Sequence, residues 1–290
     1  MKKFTIITDA TCDLPEKIVK ELDVRVIPME FILDEKVYSG KGDDTISPSA
    51  LYEGMRQGKK TSTSQIPPQT FSDVFTEELK NEKDILYIGF SSGLSGSYNA
   101  SASATEELKA IYPERKILLL DSLSGCMGEG LLVYKVAKFA KESGKEIDEI
   151  YEYAKGLVLQ INQLFTVDDL NHLYKGGRLS KTSAFIGTLL HLKPILNINN
   201  DGKIVPIAKV LFRKKSIMAL VNKMEENFNK NDNNLIMIAH ADCIEDAEYL
   251  GKLVKEKFGD IEIVYNYIGT VIGSHTGPGA LAIFYVGEGR

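Results

Sequence analysis

Cysteine is scarce in this chain. The three present, Cys12, Cys126 and Cys243, lie far apart and form no Cys-x-x-Cys pair. Neither a disulfide framework nor a closed zinc site is built from such spacing, and reduced thiols in a reducing cytoplasm are expected. Long apolar runs are missing as well: no uninterrupted stretch of about 18 apolar residues, the length a membrane-spanning helix needs, occurs. The opening residues Met1 to Asp9 hold two lysines and a short apolar run that ends at Asp9, which is not the core of a secretory signal. A cytoplasmic protein with no transmembrane segment is therefore expected. Basic charge is not in excess, since 35 Lys and Arg stand against 40 Asp and Glu for a net charge of −5. A general nucleic-acid binder concentrates Lys and Arg on one face, so that class is excluded. Nucleotide signatures are lacking too, because neither a P-loop lysine motif nor G-x-G-x-x-G follows any strand candidate.

What is present reads as α/β. At 290 residues, 43% hydrophobic and 26% charged, the chain suits two modest lobes rather than one core. Short β-rich runs alternate with segments of helical period, the pattern of βα units around a mostly parallel sheet. In the first half, strands are expected at Phe4 to Thr8, Val24 to Leu33, Ile85 to Phe90 and Ile117 to Leu120. Helices are expected near 15–22, 47–57, 69–81, 97–111 and 127–142. The second half offers strands at Gln163 to Val167, Pro194 to Asn199, Lys203 to Ile207, Leu235 to Ala239 and Ile261 to Tyr265, with helices near 169–175, 182–191, 214–229 and 244–257. Asn199-Asn200-Asp201-Gly202 is a hairpin turn, because Asn and Gly accept positive φ at little cost, and it makes the second sheet mixed. No low-complexity linker separates the halves. Strand counting places the boundary near residue 160, giving an N-terminal domain over 1–160 and a C-terminal domain over 161–290.

In open parallel sheets ligands gather beyond the carboxyl ends of strands, where helix N-termini and loops present amides and hydroxyls. Five loops fit that description. Thr8 to Asp13 closes the first strand, with N-capping as its plainer role. Thr61-Ser62-Thr63-Ser64-Gln65-Ile66-Pro67-Pro68 strings four hydroxyl residues before two prolines, and is otherwise a stiffened polar linker. Gly89 to Asn99 places serines and glycines at a strand-to-helix turn, a pattern that cradles anions and also caps helices. Leu173 to Ser180 pairs adjacent glycines with Lys175 and Arg178, either a helix C-cap or a basic corner. Gly273-Ser274-His275-Thr276-Gly277-Pro278-Gly279 sets His275 in a glycine-bent loop, a more functional position than those of His172, His191 or His240.

The order of these segments resembles the DegV family over essentially the whole chain. The matching stretches are TDATCDL at the start, TSQ at Thr63 to Gln65, SSGLSGSYNA from Ser91 and DSLSGCMGEGLLV from Asp121. They continue with VDDLNHLYKGGRLS from Val167, LKPIL from Leu192, DGK at Asp201 and GSHTGPGALA from Gly273. The resemblance implies two α/β domains and a tunnel between or within them for a long-chain fatty acid such as palmitate, stearate or oleate. It implies a carboxylate held by Thr63, Ser95, the Gly96 amide and His275, an acyl pocket that includes Cys126, and Arg178 and Arg213 facing phosphate or a partner. It also implies presentation of the acid to a separate fatty acid kinase subunit, with no cofactor and no catalysis by this chain itself. Two positions depart from the family pattern. Cys126 stands where a serine is usual, and Leu211 takes the first of two usual arginine positions, which leaves Arg213 as the remaining candidate there.

Elementary energetics fit such a binder. Burying an acyl tail gains about 0.8 kcal/mol per methylene, roughly 11 kcal/mol for sixteen carbons before ordering costs. The carboxylate has to stop at the mouth, because an unpaired buried charge costs more than hydroxyl contacts return. Hydroxyls and amides donate to it without a tight ion pair that would blunt its nucleophilicity. His275 and Arg178 then suit developing phosphoryl charge. The main rival is an esterase-like serine hydrolase, since Gly89-Phe90-Ser91-Ser92-Gly93 matches the G-x-S-x-G elbow and His275 follows it, with Asp242 as the available acid. No HGGG-like oxyanion loop precedes Ser91, which weighs against that rival. A phosphate- or nucleotide-binding enzyme, and a regulatory or scaffold protein whose pocket is empty in the cell, are weaker alternatives.

Overall fold

The computed structural model describes residues 3–180, 191–231 and 233–290. Two sheets organise it. The first is fully parallel, in the order β2, β1, β6, β7, from strands β1 (Phe4–Asp9), β2 (Val24–Ile27), β6 (Asp84–Gly89) and β7 (Ile117–Asp121). The second is mixed, in the order β10, β9, β8, β13, β11, β12, from β8 (Ile161–Thr166), β9 (Leu192–Ile198), β10 (Ile204–Leu211), β11 (Leu235–His240), β12 (Glu262–Tyr267) and β13 (Leu281–Val286). Between β2 and β6 lies a small antiparallel sheet of β3 (Phe31–Leu33), β4 (Lys36–Tyr38) and β5 (Thr61–Thr63). All strands of the parallel sheet lie before residue 122, and the mixed sheet begins at Ile161.

Period-2 side-chain alternation explains why both main sheets read as nearly continuous apolar runs: each buries two faces. In the parallel sheet, Ile7, Ile85 and Tyr87 pack with α3 (Pro68–Lys80) and α4 (Ser97–Ile111), whereas Ile6, Leu86 and Ile88 face the opposite way. In the mixed sheet, Ile236, Ile238 and Ile283 pack under α8 (Arg213–Glu225) and α9 (Ile244–Phe258), while Met237, Ala239 and Phe284 face inward. The inward faces share one core around α5 (Met127–Ser143), which contacts β6 on one side and β8, β11 and β13 on the other. Helix α5 is thus the joint between the two sheets. The remaining helices are α1 (Glu16–Leu22), α2 (Pro48–Arg56), α6 (Ile147–Leu157), α7 (Asn171–Lys175) and α10 (Thr270–Thr276).

The expected strand Val24 to Leu33 is two strands in two sheets. Pro28 follows Ile27 directly and has no N–H for a ladder, so β2 ends there and β3 starts afresh in the small sheet. Strands β4, β5 and β13 and helices α6 and α10 were not expected from the sequence. The hairpin at Asn199 to Gly202 forms as expected, closed by Asn199 N–H donating to Lys203 O and Gly202 N–H to Asn199 O, both 2.9 Å. Residues 181–190 of the helix expected near 182–191 lie outside the described residues.

Candidate functional site

A slender, largely apolar cavity runs between the two sheets, with about 700 Å³ of space unoccupied by protein atoms when its open mouth is counted. Its apolar wall takes Phe90 from the first half and Phe165, Ile198, Ile268 and Phe284 from the second. Its polar lining gathers Thr63, Ser95, Arg178 and His275 from four separate segments. Each is fixed by local structure. Thr63 ends β5, which pairs with β3 at Phe31. Ser95 precedes α4, and His275 lies in the last turn of α10 rather than in a free loop. Arg178 follows α7, with Nε donating to Leu94 O at 3.1 Å and Nη1 to Gly176 O at 2.6 Å. Its third nitrogen, Nη2, has no protein acceptor among the described residues.

The hydroxyls are arranged to donate. Ser95 Oγ accepts from Ser97 N–H at 3.2 Å and lies 3.0 Å from Ser97 Oγ. In the arrangement where the Ser97 hydroxyl is the donor of this pair, both lone pairs of Ser95 are used and its own proton is free for the cavity. Thr63 Oγ1 and His275 Nε2 are 2.7 Å apart. Burial first, and the Arg178 charge second, push His275 down to about 4, so the imidazole is neutral at pH 7. In the Nε2–H tautomer it donates to Thr63 and frees the threonine proton in turn. Gly96 holds the two hydroxyl loops together: a Cβ there would meet Gln65 Oε1 at 2.1 Å, so only glycine lets the Gln65 side chain lie against it.

Other sequence-predicted residues fall elsewhere. Cys126 is among the residues that line the cavity. Arg213 does not line it; its Nε donates to Asp246 at 2.8 Å and its Nη1 lies 3.7 Å from Asp168. Leu211 is half-exposed on the edge strand β10. The serine-hydrolase constellation is not assembled. Ser91 Oγ is fully buried and donates to Gly202 O at 2.7 Å, His275 bonds Thr63, and Asp242 pairs with Arg56 at 2.6 Å. Ser91 is instead a latch that docks the hairpin of the second half on the loop of the first.

Several residues escaped sequence reasoning. Gln163 lines the cavity while donating to Ser124 Oγ at 3.0 Å, and Arg290 donates to the same Oγ at 2.6 Å and to Leu123 O, Ile161 O and Val158 O. Glu129 is fully buried on α5 and takes the hydroxyls of Thr8 and Thr11 at 2.8 Å each. Burial and the neighbouring Asp9 raise its carboxyl well above the usual range. A signal was there to read: Gly128-Glu129-Gly130 sets an acid between two glycines inside an apolar helical run. Among the described residues no group of three or more His, Cys, Asp or Glu side chains is arranged to hold a metal, and no helix is long and apolar enough to cross a membrane.

Comparison with known proteins gives one family. Residues 3–288 match the model of the family described as "Uncharacterised protein, DegV family". A DegV domain-containing protein of Clostridium perfringens is 43% identical over 288 residues, covering 99% of each chain. The structure is similar to that of a fatty acid binding DegV family protein from Streptococcus agalactiae, at TM-score 0.84 and 30% identity, covering 99% of this chain and 100% of that one. It is similar also to a fatty-acid-binding DegV family protein from Thermus thermophilus, at TM-score 0.86 and 26% identity, covering 98% and 99%.

Proposed function

The chain belongs to the DegV family, and from that premise we propose that it binds a long-chain fatty acid, such as palmitate, stearate or oleate, in the cavity between its sheets. The observation that carries this reading is the union of a slender apolar cavity with one cluster of hydrogen-bond donors, Thr63, Ser95, Arg178 and neutral His275. Tail burial supplies affinity at about 0.8 kcal/mol per methylene, and the donor cluster fixes which end faces out. The carboxylate receives the freed protons of Thr63 and Ser95, with the Gly96 amide beside them and Arg178 Nη2 as the nearby cation. A neutral imidazole suits this place, because it orients Thr63 without binding the carboxylate as a full ion pair. The solved relatives in Streptococcus agalactiae and Thermus thermophilus, described as fatty-acid-binding proteins, support the assignment.

The exposed carboxyl is then offered to a separate fatty acid kinase, which forms the acyl phosphate, while Arg178 meets the incoming phosphate charge and His275 keeps Thr63 oriented toward the carboxyl. The chain supplies no nucleotide site and no catalysis of its own, and it works without a cofactor in the cytoplasm. Arg213, held by Asp246 and Asp168 at the start of α8, would serve the partner only by exchanging those acids. Mass spectrometry of an organic extract from purified protein tests the binding reading. A stoichiometric long-chain fatty acid is expected, and its absence together with no uptake of added acid would overturn the reading. The presentation step is tested by His275→Ala, which should still take up fatty acid yet be phosphorylated poorly; an unchanged phosphorylation rate refutes it.

A further inference from the structure

One polar side chain on the acyl wall has no task in burying hydrocarbon. Gln163, on β8, lines the cavity together with its cross-strand neighbour Phe284 and with Phe165, and it is buried. An apolar side chain of similar length would close that wall against an alkyl chain without bringing an amide to it. Its neighbours fix which way round the amide lies. Arg290 Nη2 can only donate, so Ser124 Oγ accepts from it at 2.6 Å. Gly125 N–H can only donate too, and it lies 3.4 Å from Gln163 Oε1. The amide oxygen therefore faces Gly125, and Nε2 faces Ser124 Oγ, to which it donates at 3.0 Å. Helix α5 leaves room for this arrangement: a Cβ on Gly128 would lie 2.8 Å from Gln163 Oε1. Two hydrogen-bonding capacities remain. The second Nε2 proton has no acceptor among the described residues, and Oε1 keeps a lone pair beside the single long bond from Gly125.

The strands set where along the cavity this amide stands. Arg178 follows α7, which comes after β8. His275 lies in the last turn of α10, which packs on α7 and leads into β13 at Leu281, the partner of Thr166. The donor cluster thus belongs to the carboxyl end of β8. Gln163 stands back from Thr166 by three residues, about 10 Å along the strand. An acyl chain held by its carboxylate at that cluster passes Gln163 with its middle and not with its head.

We propose that Gln163 is a specificity-determining residue that selects acyl chains carrying a mid-chain oxygen, as a hydroxyl or an oxo group. The inference rests on the reading of the cavity as an acyl site and narrows it to a substrate class. The chain oxygen accepts the second Nε2 proton, and a hydroxyl in turn donates to Oε1. A saturated chain at the same place leaves both capacities facing methylenes. Discrimination runs the other way along the rest of the wall, where Phe90, Ile198 and Ile268 offer a chain oxygen no partner and burying it is costly.

The test is titration of the delipidated full-length protein with octadecanoic acid and with a set of hydroxyoctadecanoic acids, each hydroxylated at a different mid-chain carbon. In the wild type, the acid whose hydroxyl reaches Gln163 should bind at least as tightly as octadecanoic acid, and those hydroxylated elsewhere about tenfold or more weakly. In Gln163→Leu the matched acid should lose about tenfold while octadecanoic acid loses nothing. Thermal melting of that variant reads the separate loss of the Ser124 bond. A merely structural role would lower the melting temperature and leave the ratio of the two affinities unchanged. The positional profile of the wild type needs no variant, so it decides the matter even where Gln163→Leu folds poorly. Equal weakening at every hydroxyl position in the wild type, or an unchanged ratio in a folded Gln163→Leu, would overturn the proposal and leave the fatty-acid reading standing. Failure of the wild type to bind any of these acids would overturn that reading itself.

Discussion

Glu129 provides the sharpest test of how the two sheets are joined. Thr11 has one hydroxyl proton but two carboxyl neighbours: its Oγ1 sits very close to Asp9 Oδ1 and 2.8 Å from Glu129 Oε2. Asp9 is already surrounded by donors, taking Thr11 N–H at 3.0 Å, Tyr87 OH at 2.8 Å and Phe90 N–H at 3.1 Å. Glu129 accepts from Thr8 and shares the single Thr11 hydroxyl proton with Asp9, so the two carboxyls are not both fully served as carboxylates. A neutral acid is what burial alone would demand at a site with no cation.

Two substitutions separate this account from a simple packing role. Glu129→Gln keeps a donor and an acceptor in the same places and should fold normally. Glu129→Ala loses two hydrogen bonds, about 1 kcal/mol each, and leaves a hole in a packed helix joint, for roughly 3 to 5 kcal/mol in all. At roughly 2 °C per kcal/mol for a chain of this size, the alanine variant should melt on the order of 10 °C lower. The pH dependence is more telling. An unfolded Glu releases its proton above about 4.5, whereas the folded chain keeps it. Stability is therefore fully present below that pH and is lost as pH rises toward the folded pKa, at about 1.4 kcal/mol per pH unit for the one proton. Glu129→Gln removes that slope. Calorimetric melting across pH 5.5 to 7.5 should find the wild type losing stability relative to Glu129→Gln as pH rises. A pH dependence unchanged from wild type, or a glutamine variant as damaged as the alanine, would refute the neutral-acid assignment.

Thr63→Val removes the hydroxyl oriented by His275 and leaves the apolar cavity intact. Fatty-acid affinity should drop about tenfold, the worth of one hydrogen bond to a charged group, while hexadecanol affinity changes less, as paired titrations would show. Ser91→Ala should leave any background ester hydrolysis untouched and lower stability by about 1 to 2 kcal/mol in urea, because the lost bond is the latch to Gly202 O. Arg290→Lys should cost about 2 kcal/mol or more in the same assay, since one ammonium cannot copy a fork that reaches Leu123 O, Ile161 O, Val158 O and Ser124 Oγ together.

Long periodic elements were legible from sequence because their signal is local. Helix α4 occupies the expected 97–111, and the Asn199–Gly202 hairpin forms where turn chemistry places it. Short elements were not, since their existence depends on partners. The three residues of β5 are a strand only because they pair with β3, and α10 looks like a loop in sequence because Gly273 within it and Gly277 capping it are loop formers elsewhere. In the structure a Cβ on Gly273 would lie 2.4 Å from Tyr52 Oη, so that glycine serves a close approach of helices α2 and α10. The Thr63–His275 contact spans 212 positions, and no spacing rule reaches across such a gap. Its residues were marked by loop composition and family resemblance, not by any computable distance.

The placement of the cavity also explains why no single stretch of sequence encodes it. Phe90, Ser95 and Cys126 come from loops at the carboxyl ends of the parallel strands, while Gln163, Phe165, Ile198 and Phe284 come from the inward face of the mixed sheet. A hydrocarbon chain lying between them would be, physically, a further stretch of core shared by the two sheets, beside the α5 packing and the cross-contacts of Ser91, Arg290, Thr63 and Arg56. Its contribution adds to the folded state by mass action, about 2.7 kcal/mol when free ligand is a hundredfold above its dissociation constant.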